Sequence, residues 1–501
     1  MSLPLPLYSV AQVRELERRA IEVHRLDGAT LMARAGSRVF ETMCARFPRA
    51  RRVAVVCGPG NNGGDGYVVA ERAKSAGLDA FVLVLGTKPP AGDAALMRER
   101  CQSAGVPIHP FEAAPLQTAD AIVDALLGTG LQRPVAGEWR AAIDAINATG
   151  RPVVAVDIPS GLNADTGAIM GTAVRADVTV SFIGLKAGLF LADGRDCAGE
   201  ILFDGLGVPS EVYEGIDAIA HRLAASDLRK LSRPRRRNAH KGDFGHVLVI
   251  GGGLGMPGAA RLCGEAALRT GAGLVTLATH PNYASALSAG RPELLSFGVR
   301  TPKDLNPLVE RATVIALGPG LSVTPWSRAL WRAALSSRLP LIVDADALNL
   351  LAAKPVRKAD WILTPHPGEA ARLLKTTTVT IQRDRIAAAK QLVKRYGGVC
   401  VLKGAGTLIA TGDTVWLCDR GNPGMASAGM GDVLTGVIAA LRAQGLAAPE
   451  AARLGVWLHA TAGDAAATPG EIGLIASDLY PHLRRSLNRI VHGELADRDR
   501  E

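Results

Sequence analysis

The sequence predicts an α/β protein made of two three-layer domains, each a largely parallel sheet covered by helices on both faces. Length is the first observation: 501 residues are too many for one ordinary core and allow two to four domains. The second is a rhythm of short β-branched runs, each closed by Gly, Pro or Asp and separated by helical stretches, as in strands joined by crossover helices. The third is a lapse in that rhythm between about Pro209 and Asp227, before it resumes at His246. Domains are accordingly expected over residues 1–215 and 226–495.

The chain opens with a helix, because Ser9 followed three residues later by Gln12 can satisfy two free amides at a helix start. Strands follow at Val53–Cys57, Phe81–Leu85, Ala121–Leu127, Val153–Ile158 and Val178–Ile183. The first runs into a loop, Gly58-Pro-Gly-Asn-Asn-Gly-Gly-Asp-Gly66, with an Ala-rich helical pattern from Tyr67. Bare amides beside a helix start favour phosphate. Glycines also permit tight turns, but Asn61, Asn62 and Asp65 are not needed for a turn. Two further strands end in polar loops, Asp124–Pro134 and Asp157–Asn163. In an open parallel sheet such loops gather on one rim, so their carboxylates converge.

The basic run from Arg229 to Arg237 reads as a solvated segment beside a linker rather than as a phosphate or nucleic-acid patch. Strands then recur at His246–Ile250, Leu274–Ala278, Val314–Leu317, Leu341–Val343, Trp361–Leu363 and Cys400–Leu402. No repeat relates the halves, so two different folds and two different reactions are expected. Gly253, Gly255 and Gly258 meet the dinucleotide-fold spacing, but the next strand closes on Thr279-His280 where a ribose-binding acid is required. The loop is therefore read as a phosphate-permissive turn of another fold. Gly318-Pro-Gly320, Asp344-Ala-Asp346, Thr364–Glu369 and Lys403–Thr407 each end a strand and face one rim. Asn422–Asp432 is a Gly-rich turn opening a helix; it presents amides to a migrating phosphoryl group and places Asp432 where it can accept a hydroxyl proton.

Composition narrows the function classes. Aromatic residues are 4% of the chain against 56 Gly, which favours backbone-lined pockets over base-stacking grooves, so no nucleic-acid partner is expected. The formal charge of +10 suits anionic nucleotides equally well. Seven scattered Cys suggest neither a disulfide framework nor a zinc cluster and fit a reducing cytosol. Neither a signal peptide nor an apolar run of membrane-spanning length is visible, so a cytoplasmic protein with no membrane partner is expected.

Gly58–Asp65, Gly128–Pro134 and Asp157–Gly161 occur in order and resemble the NAD(P)HX epimerase family, over roughly Leu7 to Val212. The resemblance implies a Rossmann-like domain in which Asn61, Asn62, Gly63, Gly64 and Asp65, with Gly128, Thr129, Gly130, Leu131, Gln132, Arg133 and Pro134, hold a hydrated dinucleotide. It further implies that Asn62, Asp124 and Ser160 ligate potassium and that Asp157 contacts the nicotinamide ring. Oxygen donors suit such a hard cation. Epimerising a carbinolamine needs proton management rather than a strong nucleophile, so Asp157 is the expected acid/base group. Lys186 is left open between a phosphate contact and a surface position.

His240–Gly245, His366–Glu369, Lys403–Thr407 and Gly429–Asp432 resemble the ribokinase-like, ADP-dependent NAD(P)HX dehydratase family, from about Asp227 to Arg489. That likeness implies that Lys403, Gly404, Ala405, Gly406, Thr407 and Gly431 hold the adenine nucleotide, while Gly320, His366 and Asp432 face the hydrate, with Asp432 catalytic. Magnesium is expected as a phosphoryl-transfer ion, with Glu369 and Asp346 as candidate ligands. One departure is Ser427-Ala428 in place of Thr-Gly, where a β-carbon would strain the turn if φ were positive. Together the two likenesses imply repair of hydrated NADH and NADPH, with ADP converted to AMP and phosphate, by a homo-oligomer. The alternative is a ribokinase-type small-molecule kinase fused to a dinucleotide-binding or scaffold domain. The complete polar set Asn62, Asp124, Asp157 and Ser160 disfavours it, since a scaffold has no need of those residues.

Overall fold

The computed structural model describes residues 3–232 and 234–494 and separates into two compact units, Leu3–Ala220 and His221 onward. Arg233 of the basic run and the expected domain end at residue 495 lie outside the described residues.

The first unit opens with helix Val10–Glu22, capped by Ser9 and Gln12 as its sequence requires. Its sheet is built from β1 (Arg52–Cys57), β2 (Asp79–Val84), β3 (Ile108–Pro110), β4 (Ala121–Ala125), β5 (Val153–Val156), β6 (Val178–Phe182) and β7 (Glu200–Asp204). The order across the sheet is β3-β2-β1-β4-β5-β6-β7, and every pairing is parallel. Val53, Val55 and Cys57 enter one core and Ala54 and Val56 another, so both faces of β1 are covered. Strand order reverses between β1 and β4, which opens the crevice where ligands of such sheets bind.

Four strands end sooner than their apolar runs, β2 by the single residue Leu85. Asp157 and Ile183 sit at φ of 64° and 59°, which ends β5 and β6 before residues 158 and 183. β4 stops at Ala125, and Leu126 and Leu127 turn to bond Asp124 and Ser160. The larger correction concerns Gly58–Gly66: only its first three residues are loop, and the helix begins at Asn61, six residues before Tyr67. Its glycines serve packing. A β-carbon at Gly63 would overlap the Gly58 carbonyl, and one at Gly66 would lie 2.7 Å from both Ala125 and Cys57 side chains. The edge strands β3 and β7 escaped the sequence reading because their residues are only partly buried and lack a β-branched run.

In the second unit the strands are β8 (His246–Ile250), β9 (Leu274–Thr279), β10 (Leu295–Gly298), β11 (Val314–Leu317), β12 (Leu341–Val343), β13 (Trp361–Leu363), β14 (Val399–Leu402), β15 (Thr407–Thr411) and β16 (Thr414–Cys418). They lie in the order β16-β15-β14-β13-β12-β11-β8-β9-β10. β15 runs antiparallel to both of its neighbours, β14 and β16, and the pairings from β14 through to β10 are parallel, a different fold from the first unit. Val247 and Val249 pack in one core with Val433 and Val437 of helix Met430–Ala443. Leu248 and Ile250, equally buried, point to the other face. In the basic run, Arg235 stacks 3.5 Å above the Phe244 ring, a structural role for at least one of its charges.

Candidate functional site

Each unit gathers its polar loops at the carboxyl ends of its strands. In the first, Asp124 closes β4 as a fully buried carboxylate. Ser160 donates to it twice, through Oγ at 2.6 Å and its backbone amide at 2.8 Å. The Leu127 carbonyl lies 3.2 Å from Ser160 Oγ. Burial pushes the Asp124 carboxyl up to about 6 despite these bonds. Asn62, also buried, comes from the first turn of helix Asn61–Ser75, and its amide nitrogen finds no partner. A β-carbon at Gly128 would sit 3.4 Å from that of Asn62, so the loops after β1 and β4 meet here. Thr129 and Leu131 stay partly exposed on the same loop, whereas Gly130, Gln132, Arg133 and Pro134 are solvent-exposed.

Beside this pocket Asp157 ends β5. Its carboxylate accepts from Lys186 Nζ and from the Phe182 amide at 3.1 Å. Lys186 is 1% exposed, so it is not the surface residue that the sequence allowed. Burial, and then the charge of Asp157 and that of Glu17, raise the Asp65 carboxyl well above its usual range. Burial also raises Glu17, with Lys186 opposing it. The structure thus brings Asp65, Asp157, Lys186 and Glu17 together. Glu17 and Lys186 carry no motif signal; only the fold places them there.

In the second unit Asp344, at the end of β12, organises the rim. It is 1% exposed and accepts from Lys403 Nζ at 2.7 Å and from the hydroxyls of Thr364 and Thr435, each at 2.8 Å. Burial works against the Lys403 ammonium, but Asp344 and then Glu369 outweigh it and hold its pKa above the ordinary lysine value. Gly431 lets the helix start close on this pair, since a β-carbon there would be 3.2 Å from Lys403 Nζ. Asp432, one residue on, is raised to about 7 by burial first and Asp344 second. His366 caps helix Pro367–Leu374: its Nδ1 accepts from the Gly368 amide at 3.0 Å, while Glu369 returns a carboxylate to the His366 amide at 2.7 Å. Burial, then Lys403, lowers the His366 pKa, and burial raises Glu369.

The Lys403–Thr407 turn is held from behind by Arg385, which is 1% exposed and donates to the carbonyls of Leu402, Lys403 and Gly406. Ala405 lies exposed at the turn's tip, between Gly404 and Gly406 at positive φ. After β11, Gly320, at φ 60°, accepts through its carbonyl from the Gly253 amide at 2.7 Å. Asp346 is committed to the Ser322 amide at 2.7 Å. Ala428 is not among the described residues with positive φ; Gly429, at 87°, takes that conformation instead, so the Ser427-Ala428 departure leaves the turn unstrained. Asp344 stood in a strand-terminal motif legible from sequence, whereas the distant Arg385 left no signal.

These features define a class: an α/β protein with a dinucleotide-type crevice in one unit and a kinase-type phosphoryl-transfer rim in the other. A family model described as YjeF-related protein N-terminus matches residues 28–188, and one described as NAD(P)H-hydrate dehydratase matches 247–485. The chain is 46% identical to the bifunctional NAD(P)H-hydrate repair enzyme Nnr of Coxiella burnetii, over 96% of this chain and 99% of that one. Against the Escherichia coli enzyme of the same name, identity is 44% over 100% and 97% of the two chains. A ribokinase-like superfamily protein from Enterococcus faecalis matches 54% of this chain and 95% of its own, with TM-score 0.50 and 28% identity. The chain belongs to the family of bifunctional NAD(P)H-hydrate repair enzymes.

Proposed function

We propose that the two rims divide one repair between them, with epimerisation in residues 1–215 and dehydration in residues 226–495. The chain is a bifunctional enzyme that interconverts the R and S hydrates of NADH and NADPH and dehydrates the S hydrate to usable cofactor, consuming a nucleotide. The observation that carries the reading is the raised Asp432 carboxyl, poised near neutrality beside Lys403 at a glycine-lined helix start.

In dehydration, Asp432 takes the proton of the C6 hydroxyl as that oxygen attacks the β-phosphorus of ADP, and AMP leaves. The ring N1 lone pair then expels C6-bound phosphate, and loss of a C5 proton restores the double bond. Lys403, the Lys403–Thr407 turn and the Gly431 amide bind the nucleotide phosphates, and Gly320 and His366 line the hydrate's side. Magnesium, when bound with the phosphates, supplies charge neutralisation; Glu369 can hold it, since such ions need only one or two carboxylates. Asp346 is placed alike: each of the two carboxylates already has one oxygen accepting from a backbone amide, Asp346 from that of Ser322 and Glu369 from that of His366, both at 2.7 Å.

In epimerisation, the C6 hydroxyl is protonated and departs as water while N1 stabilises the cation; water returns on the other face and gives up a proton. Asp157, held by Lys186 and the Phe182 amide, is the base, and Asp65, whose carboxyl burial shifts toward its neutral form, is the acid. One carboxylate, one hydroxyl and one side-chain amide oxygen are hard donors that fit a monovalent cation, so Asp124, Ser160 and Asn62 would hold potassium, which would order these loops. Seven free thiols suit a reducing cytosol. No described helix is long and apolar enough to cross a membrane.

The test is recovery of reduced-nicotinamide absorbance from an R/S hydrate mixture. With ADP the enzyme recovers both epimers; Asp432→Asn recovers neither, and absence of recovery by the parental enzyme with ADP or ATP overturns the proposal.

A further inference from the structure

The order of the strands separates the two halves of the dehydratase rim. Lys403 ends β14, Glu369 follows β13 and Asp344 follows β12, so the nucleotide and the phosphoryl chemistry occupy one end. From β12 the rim continues across β11, β8 and β9, three strand spacings or about 14 Å. A dinucleotide whose hydrated ring lies against Gly320 and Asp432 needs a place for its other ring, and the rim extends only one further strand in that direction.

At that place stands a shelf unlike the rest of this aromatic-poor chain. His280 ends β9, and its ring lies 5.6 Å from that of Trp326, edge-on at 67°, and 6.3 Å from that of Tyr283. Each ring is anchored through the surrounding loops: Trp326 Nε1 donates to the Val299 carbonyl at 2.8 Å, the Gly255 amide donates to Tyr283 Oη at 3.2 Å, and the Asn282 amide donates to His280 Nδ1 at 3.4 Å. Leu254, Met256 and Val323 on the adjoining loops are 58%, 40% and 44% exposed, apolar surface left open to solvent. The shelf is continuous with the hydrate's side, because a β-carbon at Gly320 would press on Met256 Cβ at 2.9 Å.

We infer that this shelf of His280, Tyr283, Trp326, Leu254, Met256 and Val323 binds the distal planar base of the hydrated dinucleotide and so makes the dehydratase selective for dinucleotides over mononucleotides. The inference rests on the reading that Gly320 and Asp432 face the hydrate. Apolar and aromatic groups accept a base by its face without discriminating its edge, which suits a purine shared by NADH and NADPH. The rest of the substrate's binding energy is then available to position the C6 hydroxyl.

The experiment uses the full chain with saturating ADP and two substrates, the S hydrate of NADH and that of the reduced nicotinamide mononucleotide. Trp326→Ala is expected to raise KM for the dinucleotide about tenfold or more, as for loss of one stacking partner, and to leave KM for the mononucleotide hydrate and for ADP at parental values. Trp326→Phe restores most of the loss. Leu254→Asp, at an exposed position with no cost to folding, gives the same selective rise if Trp326→Ala proves unstable. An equal rise for both substrates, a rise in KM for ADP instead, or no change in Leu254→Asp overturns the shelf. Asp432→Asn is run in parallel: parental dehydration there overturns the reading of the centre, whereas its loss with an unmoved dinucleotide KM in the shelf variants overturns the shelf alone.

Discussion

Asp344→Asn tests whether the buried carboxylate at the end of β12 tunes Asp432, the proposed base. A general base must be ionised, so dehydration should rise with pH through the Asp432 value of about 7 and level off above it. Burial is the larger cause of that value and survives the substitution; the charge of Asp344, second in size, does not. A like charge a few ångströms away commonly moves a carboxyl by about one pH unit or more. The acid limb should therefore move from about 7 to about 6, not back to the range of a free aspartate. At pH 6 the rate relative to the plateau then climbs from about a tenth to about a half. The plateau itself should fall, because Lys403 loses the ion partner that holds its ammonium 2.7 Å away, beneath Gly431. The assay is kcat against pH from 5 to 9 with ADP and S hydrate saturating, read by reduced-nicotinamide absorbance. Epimerisation by the same preparation serves as the control for folding of the other unit. A lowered plateau with an unmoved limb would refute the electrostatic argument and leave Asp344 as packing alone.

Three further outcomes are expected. Because Asp124 titrates at about 6 and a cation requires its ionised form, the potassium concentration giving half-maximal epimerisation should rise about fourfold between pH 7.5 and 5.5; a constant value counts against a site at Asp124. Gly63→Ala forces a β-carbon into the Gly58 carbonyl and should destabilise the first unit by about 1–3 kcal/mol, lowering its melting transition and abolishing epimerisation while ADP-driven dehydration of pure S hydrate persists. Asp157→Asn should slow exchange between epimers by about 100-fold or more and leave dehydration of the S hydrate intact, as read by chiral chromatography without ADP; loss of dehydration would undo the division of labour.

The parts of both rims that were legible in the sequence are those in which chemistry and local backbone coincide. Asp124, Asp157, Asp344 and Asp432 each follow or open an element whose own pattern is strong, so placing the strand or helix places the carboxylate. What escaped depended on contacts between distant segments. Lys186 lies 29 residues beyond Asp157, and only the parallel pairing of β5 with β6 brings its neighbourhood back to that carboxylate. Arg385, inside helix Arg385–Tyr396, looks like any solvated helical charge until the turn after β14 folds three carbonyls over it. The misread helix start has the same origin. Glycine is a poor helix former in isolation, so Gly63, Gly64 and Gly66 read as loop. In the fold, Met32, Ala94, Ala125 and Cys57 press so close that no side chain fits. A glycine-rich stretch can therefore be helix wherever tertiary contact, not backbone propensity, dictates the residue. That is also why the Asn62 side chain, in the first turn rather than on a loose loop, is fixed firmly enough to face Gly128.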